Sequence, residues 1–200
     1  MGRTSVCPLC LRSFKLAMAR RRVPQKIFLI GFMGSGKSRV GRVLSRRLGF
    51  DFIDLDSLIE GKMGVSIAEI FKSSGEGGFR DIESRILGEV VEGKGGDEVG
   101  ARVVSTGGGI ILRGENRAVM SGCGVTVYLR TPPRVIWDRV KHNTARPLLQ
   151  VEGDPLEKIC ELLKERKNLY EQAADLVVDT ENRTPEEVAE EIAQGLRELR

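Results

Sequence analysis

The chain has 200 residues, 40% of them hydrophobic and 30% charged, with a formal net charge of +4. One domain with a substantial core is the default at that length, and no apolar run approaches the roughly 20 residues that a membrane-spanning helix requires. The modest positive charge fits a set of phosphate-binding arginines plus the cluster Arg20-Arg21-Arg22; neither a nucleic-acid partner nor a membrane is expected.

Residues 1–24 read as a basic N-terminal extension, expected to be disordered, ahead of a domain covering 25–200. They lack the clean hydrophobic region and small-residue cleavage site of a signal peptide. Cys7-Pro8-Leu9-Cys10 has the spacing of half a zinc knuckle, but tetrahedral zinc takes four ligands and the only histidine, His142, lies far along the chain. The other cysteines, Cys123 and Cys160, stand alone. That is no disulfide framework, and a reducing cytoplasm is the expected compartment.

The domain opens with an apolar strand, Ile27-Phe28-Leu29-Ile30, then the turn Gly31-Phe32-Met33-Gly34-Ser35-Gly36-Lys37-Ser38, then a helix with the stripe Val40, Leu44, Leu48. Glycines in the pattern Gly-x4-Gly-Lys-Ser let backbone N–H groups curl around phosphate oxygens, and the helix dipole favours the negative charge they enclose. Lys37 would reach the β- and γ-phosphates and the Ser38 hydroxyl would bind Mg²⁺. Gly34, Ser35, Gly36, Lys37, Ser38 and the adjoining Arg39 are therefore the nucleotide-binding candidates, and the nucleotide is a triphosphate.

Phe50 to Asp56 reads as a second short strand, which places Asp54 and Asp56 on the same side. One carboxylate can hold Mg²⁺ and the other can accept a proton from, or orient, an attacking hydroxyl; an aspartate at a strand end can equally cap the next helix. Ser66 and Glu69 form a capping box that starts a short helix. A turn at Gly75–Gly78 follows, and Phe79, Ile82, Ile86 and Val90 step along a second helix. Gly93–Gly100 is a glycine-rich loop, Ala101–Ser105 a third strand running into Gly107-Gly108-Gly109, and Val125–Leu129 a fourth strand ending at Arg130. Pro132-Pro133 opens a helix through Ile136, Trp137 and Val140. Roughly residues 141–153, with Arg146 beside Pro147, have the character of a lid. Such an arginine can close over a transferring phosphoryl group and exclude water.

Asp154-Pro155 caps and opens a long helix on which Ile159, Leu163, Arg166 and Tyr170 share a face. Arg166 on this inward stripe either extends its charged head to water or holds an anion. Arg80 has two readings of its own, an ion pair with Glu83 or a second anion clamp. Leu176–Val178 is a fifth strand, and Thr184 to Glu187 caps a closing helix striped by Val188, Ile192 and Leu196. Strands alternating with helices imply an α/β fold, a parallel sheet covered on both faces. Residues just beyond its strands are pooled at the ligand-binding end: the phosphate loop, Asp54, Asp56, the triple glycine and Arg130.

In chain order, the segments Gly31–Ser38, Phe52–Asp56, Gly78–Glu83, Ser105–Gly109, Arg146–Leu149 and Glu165–Tyr170 together resemble the shikimate kinases, over about residues 26–195. The resemblance implies a three-layer α/β/α P-loop kinase of the nucleoside monophosphate kinase-like branch, with a five-stranded parallel sheet and a mobile lid. It implies a cytoplasmic, monomeric enzyme that uses ATP and Mg²⁺ to phosphorylate the 3-hydroxyl of shikimate, in aromatic amino-acid biosynthesis. On the matching positions, Lys37 and Arg146 would meet the transferred phosphate, and Ser38 with Asp54 the metal. Asp56 would bind the shikimate hydroxyls and act as base or orienter, and Arg80 and Arg166 would hold the carboxylate. Gly108 would approach a hydroxyl, Glu83 would support Arg80, and Arg139 and Arg183 would enclose adenine. Arg39 departs from the family's usual threonine, and residues 1–24 have no counterpart. The rival readings are a gluconate-type or other small-molecule kinase of the same branch and a nucleotide-binding regulatory module without catalysis.

Overall fold

A computed structural model describes residues 25–93, 100–141 and 154–199. The extension 1–24, the loop 94–99 and nearly all of the expected lid, with Arg146, lie outside the described residues. Among those described, no helix is long and apolar enough to cross a membrane.

Five parallel strands form one sheet in the order β2-β3-β1-β4-β5. They are β1 (Lys26–Ile30), β2 (Asp51–Asp54), β3 (Arg102–Ser105), β4 (Val125–Arg130) and β5 (Leu176–Asp179). The helices are α1 (Lys37–Leu48), α2 (Leu55–Met63), α3 (Ile67–Glu92), α4 (Gly114–Cys123), α5 (Pro133–Val140), α6 (Pro155–Ala173) and α7 (Pro185–Glu198), with a 3₁₀ turn at Ile110–Leu112. The central strand β1 pairs with β3 on one side, Phe28 opposite Val104, and with β4 on the other, Phe28 opposite Thr126.

The continuous apolar run of β1 follows from burial on both faces. Successive side chains alternate. Ile27 and Leu29 pack with Val40 and Leu44 of α1 and with Val188, Ile192 and Leu196 of α7. Phe28 and Ile30 pack on the opposite side with Leu55, Ile59, Ile86, Leu87 and Tyr170, from α2, α3 and α6. A smaller cluster of Phe32, Ile136, Val140, Ile159 and Leu162 joins the phosphate loop to α5 and α6. The chain leaves β1 toward one edge of the sheet and leaves β4 toward the other. The strand order thus reverses beside the end of β1, where ligands bind in open α/β sheets.

Three expectations need correction. The second strand stops at Asp54, so Asp56 is not on a strand: it lies in the first turn of α2. Asp54 itself caps that helix, its carboxylate accepting from the Ser57 N–H at 3.3 Å, which pulls the chain out of strand geometry one residue later. The expected turn at residues 75–78 shrinks to a single break inside α3, where Gly75 has φ 68° and ψ −178°, a conformation open to glycine and costly for other residues. Finally, Gly114–Cys123 forms a helix with no counterpart in the sequence reading, because Gly114, Gly122 and Gly124 blur its apolar period. The capping boxes at Ser66 and Thr184 and the Asp154 cap are present.

Candidate active site

The phosphate loop turns into α1 at Gly36, whose φ of 99° is left-handed. Lys37, the first residue of the helix, folds back over its own loop and donates to the carbonyls of Gly31 at 2.8 Å and Phe32 at 2.9 Å. Its ammonium therefore stands where the loop's N–H groups would enclose phosphate oxygens. The Ser38 hydroxyl donates to Asp54 Oδ2 at 2.6 Å and lies 3.3 Å from the Ser105 hydroxyl. This gathers oxygen atoms from α1, β2 and β3 at one point.

On the other flank Arg139 of α5 donates to the carbonyls of Gly34 at 3.2 Å, Ser35 at 3.3 Å and Thr180 at 3.2 Å. Burial, and secondarily the charge of exposed Arg39, lower its pKa from the ordinary value. Arg183 donates to the carbonyls of Asp179 at 3.2 Å and Glu187 at 3.0 Å. Both arginines thus meet the β5–α7 connection beside the loop. Arg130 does not join them: its guanidinium makes a two-pronged ion pair with Asp179 on the neighbouring strand, at 2.6 Å for each contact.

The second half of the site is built on the triple glycine. Arg80 and Arg166 are each 7% exposed and Glu83 is 0% exposed. Arg80 donates to Glu83 Oε2 at 2.7 Å and to Glu76 Oε1 at 3.1 Å. The break at Gly75 lets α3 restart just before Glu76, so both carboxylates fall within reach of Arg80 at i,i+3 and i,i+4 spacing. Burial raises the Glu83 carboxyl pKa above the ordinary range, opposed by Arg80 and reinforced by the charge of Asp56. The guanidinium of Arg166 stands 5.8 Å above the centre of the Phe32 ring, against the phosphate loop.

All three glycines of this row are crowded by their neighbours. A Cβ on Gly107 would fall 2.5 Å from Glu83 Oε1 and 2.9 Å from Asp56 Oδ1; on Gly109, 2.1 Å from Arg80 Nη2; on Gly108, 3.1 Å from the Met33 nitrogen. One short peptide is thus bordered by the carboxylates, by Arg80 and by the phosphate loop.

A family model described as shikimate kinase matches residues 33–197. The chain belongs to the shikimate kinase family. Curated shikimate kinases are similar over almost their full length. That of Thermodesulfovibrio yellowstonii is 47% identical over 175 residues, covering 88% of this chain and 96% of that protein; that of Halorhodospira halophila is 46% identical over 180 residues, covering 90% and 98%. A solved structure, the shikimate kinase from Acinetobacter baumannii in complex with shikimate, superimposes with a TM-score of 0.81 at 38% identity, covering 90% of this chain and 96% of that one. A gluconokinase from Sinorhizobium meliloti is similar at 21% identity with a TM-score of 0.52, a likeness of fold alone.

Of the site residues expected from the sequence, Gly34 to Arg39 form the phosphate loop and the start of α1, with Arg139 and Arg183 at the neighbouring β5–α7 connection; Asp56 and Arg80 lie against the triple glycine that contains Gly108, and Arg166 lies over Phe32 of the loop. Two features were absent from the sequence reading. The Ser105 hydroxyl joins the Ser38–Asp54 pair, signalled only by its place at the end of β3. Tyr170, read as part of an apolar stripe, donates its hydroxyl to the Gly108 carbonyl at 2.5 Å.

Proposed function

We propose that this chain, as a cytoplasmic monomer, transfers the γ-phosphoryl group of ATP to the 3-hydroxyl of shikimate, giving shikimate 3-phosphate. The observation that carries the reading is the crowding around Gly107–Gly109, where Asp56, Arg80 and Glu83 meet a peptide that also touches the phosphate loop. A carboxylate-bearing polyol fits such a pocket. The Arg80 and Arg166 forks suit its carboxylate, and Asp56 suits a hydroxyl.

Ser38 and Asp54 fit Mg²⁺, because both present hard oxygen atoms, 2.6 Å apart, beside the loop, and this ion takes one or two carboxylates together with substrate phosphates. Ser38 and Asp54 would hold that ion, and the chemistry it would supply is neutralisation of the negative charge that develops on the phosphates. Lys37 exchanges its two carbonyl partners for phosphate oxygens when nucleotide enters. Asp56 orients the attacking hydroxyl and receives its proton; Arg80 and Arg166 fix the ring so that this hydroxyl is in line. Arg146, outside the described residues, would meet the transferred phosphate, as the family resemblance implies. Positioning and charge neutralisation supply most of the acceleration, because the loose transition state offers little covalent chemistry to assist.

The test is ADP release with shikimate, shikimate methyl ester and gluconate in parallel. Rapid release with shikimate, and strong loss with the ester through weaker binding, is the expected result. Preference for gluconate would shift the reading to a gluconate-type kinase, and ADP release with none of them would favour a nucleotide-binding module without catalysis.

A further inference from the structure

Tyr170 is 0% exposed, and a phenol buried that deeply requires a partner for its hydroxyl. Its ring lies flat against Tyr128 of β4, with centroids 4.9 Å apart and planes 8° from parallel. From that fixed position the hydroxyl reaches across to the Gly108 carbonyl at 2.5 Å. Burial raises its pKa above the ordinary phenol value, opposed by the neighbouring Arg166.

Gly108 sits in the middle of the triple glycine, next to the phosphate loop. Its α-carbon faces the backbone of the phosphate loop, with the Met33 nitrogen 3.1 Å and the Gly31 oxygen 3.6 Å from where a Cβ would sit. Glycine is conformationally permissive, and three in sequence have no side chains of their own to hold them. An external clamp is needed if Gly107 and Gly109 are to keep their places against Asp56, Glu83 and Arg80. One helical turn before Tyr170, on the same face of α6, stands Arg166.

We infer that Tyr170 is a positioning residue for the acceptor side of the reaction: its hydroxyl fixes the 107–109 peptide between the phosphate loop and the Asp56–Arg80–Glu83 group, and its stacked ring sets the turn of α6 that carries Arg166. The inference rests on the shikimate reading of the site. A packing role alone would be served equally by phenylalanine, which keeps the stack with Tyr128. Only the hydroxyl reaches Gly108.

Steady-state kinetics of Tyr170→Phe test this directly. Loss of the donor to a buried carbonyl is expected to raise KM for shikimate roughly tenfold, with KM for ATP unchanged. Tyr128→Phe, which also removes a phenol from the stack, should leave both constants unchanged. An unmoved KM for shikimate, or equal rises for both substrates, overturns the proposal. Should Tyr170→Phe fail to fold, the wild-type chain labelled with fluorotyrosine serves instead, because it holds only two tyrosines and Tyr128→Phe assigns their resonances. Shikimate should shift the Tyr170 fluorine signal more than ADP does; a Tyr170 signal indifferent to shikimate ends the proposal. Wild-type enzyme that leaves shikimate unphosphorylated ends both this inference and the function proposed above. Wild-type turnover with an unmoved KM in Tyr170→Phe ends this inference alone.

Discussion

Asp54 and Asp56 are separated by one residue and do different work, because the chain changes from strand to helix between them. Asp54 closes β2, caps α2 and holds the Ser38 hydroxyl. Asp56, in the first turn of α2, lies against Gly107 of the triple glycine. Replacing it with asparagine keeps the shape and removes the charge. Asp56→Asn is expected to lower kcat by roughly 100-fold or more, the scale of general-base and orienting effects, with ATP affinity unchanged; full turnover in that variant would remove Asp56 from the mechanism. Glu83 carries a pH dependence of its own. Burial holds its carboxyl above the ordinary value of 4.5 in the folded protein, against the pull of Arg80. The native state therefore binds the proton more tightly than the unfolded chain. This contribution to stability is complete below the unfolded value and declines as pH rises through the folded one. Chemical denaturation at a series of pH values should show that decline in the wild type and lose it in Glu83→Gln; identical slopes would contradict the assignment. At this scale the sequence showed which residues carry charge but not their neighbours. Arg80 and Arg166 each had a bland reading, and only the resemblance to a family made them a pair.

Among the elements, the turn after β3 brings Asp56, Arg80 and Glu83 closest together. Gly109 has φ −103°, a conformation any residue adopts, so a substitution there tests crowding without backbone strain. An alanine Cβ would sit 2.1 Å from Arg80 Nη2 and 2.4 Å from its Cζ, which forces the guanidinium away from Glu83. Gly109→Ala is expected to lower kcat/KM for shikimate about 100-fold, the scale of a misplacement near 1 Å, while nucleotide binding measured by calorimetry stays near wild type. Unchanged kcat/KM would show that Arg80 is not held in place by this turn. The family resemblance puts a substrate hydroxyl near Gly108; in the structure Gly107 lies against Glu83 and Asp56, and Gly109 against Arg80. Spacing alone cannot separate these, since a glycine required by a neighbour and one required by a ligand look the same. Helix starts were legible wherever a side chain caps them, as at Ser66, Asp154 and Thr184. Helix α4, opened at Arg113 with no side-chain cap, left no such mark.

For the whole molecule, alternation of apolar strands and amphipathic helices was enough to read a parallel sheet covered on both faces. The pooling of residues beyond strand ends also held for the loop, Asp54 and the triple glycine. It failed for Arg130, because β5 runs beside β4 and offers Asp179 as a closer partner. Strand order is a property of long-range packing, and it decides which strand-end groups meet. With β1 between β3 and β4, the phosphate loop stands next to the triple glycine, and α6 can lay Arg166 and Tyr170 against both. The phosphate loop and the triple glycine thus meet at the carboxyl ends of neighbouring strands. The measurement that bears on this most directly is phosphorus–proton correlation NMR of the product formed from shikimate and MgATP. A single phosphomonoester on the oxygen at C3, formed in step with ADP, is the expected result. ADP formed with phosphate released to water, or phosphate attached to another oxygen of the ring, would contradict it.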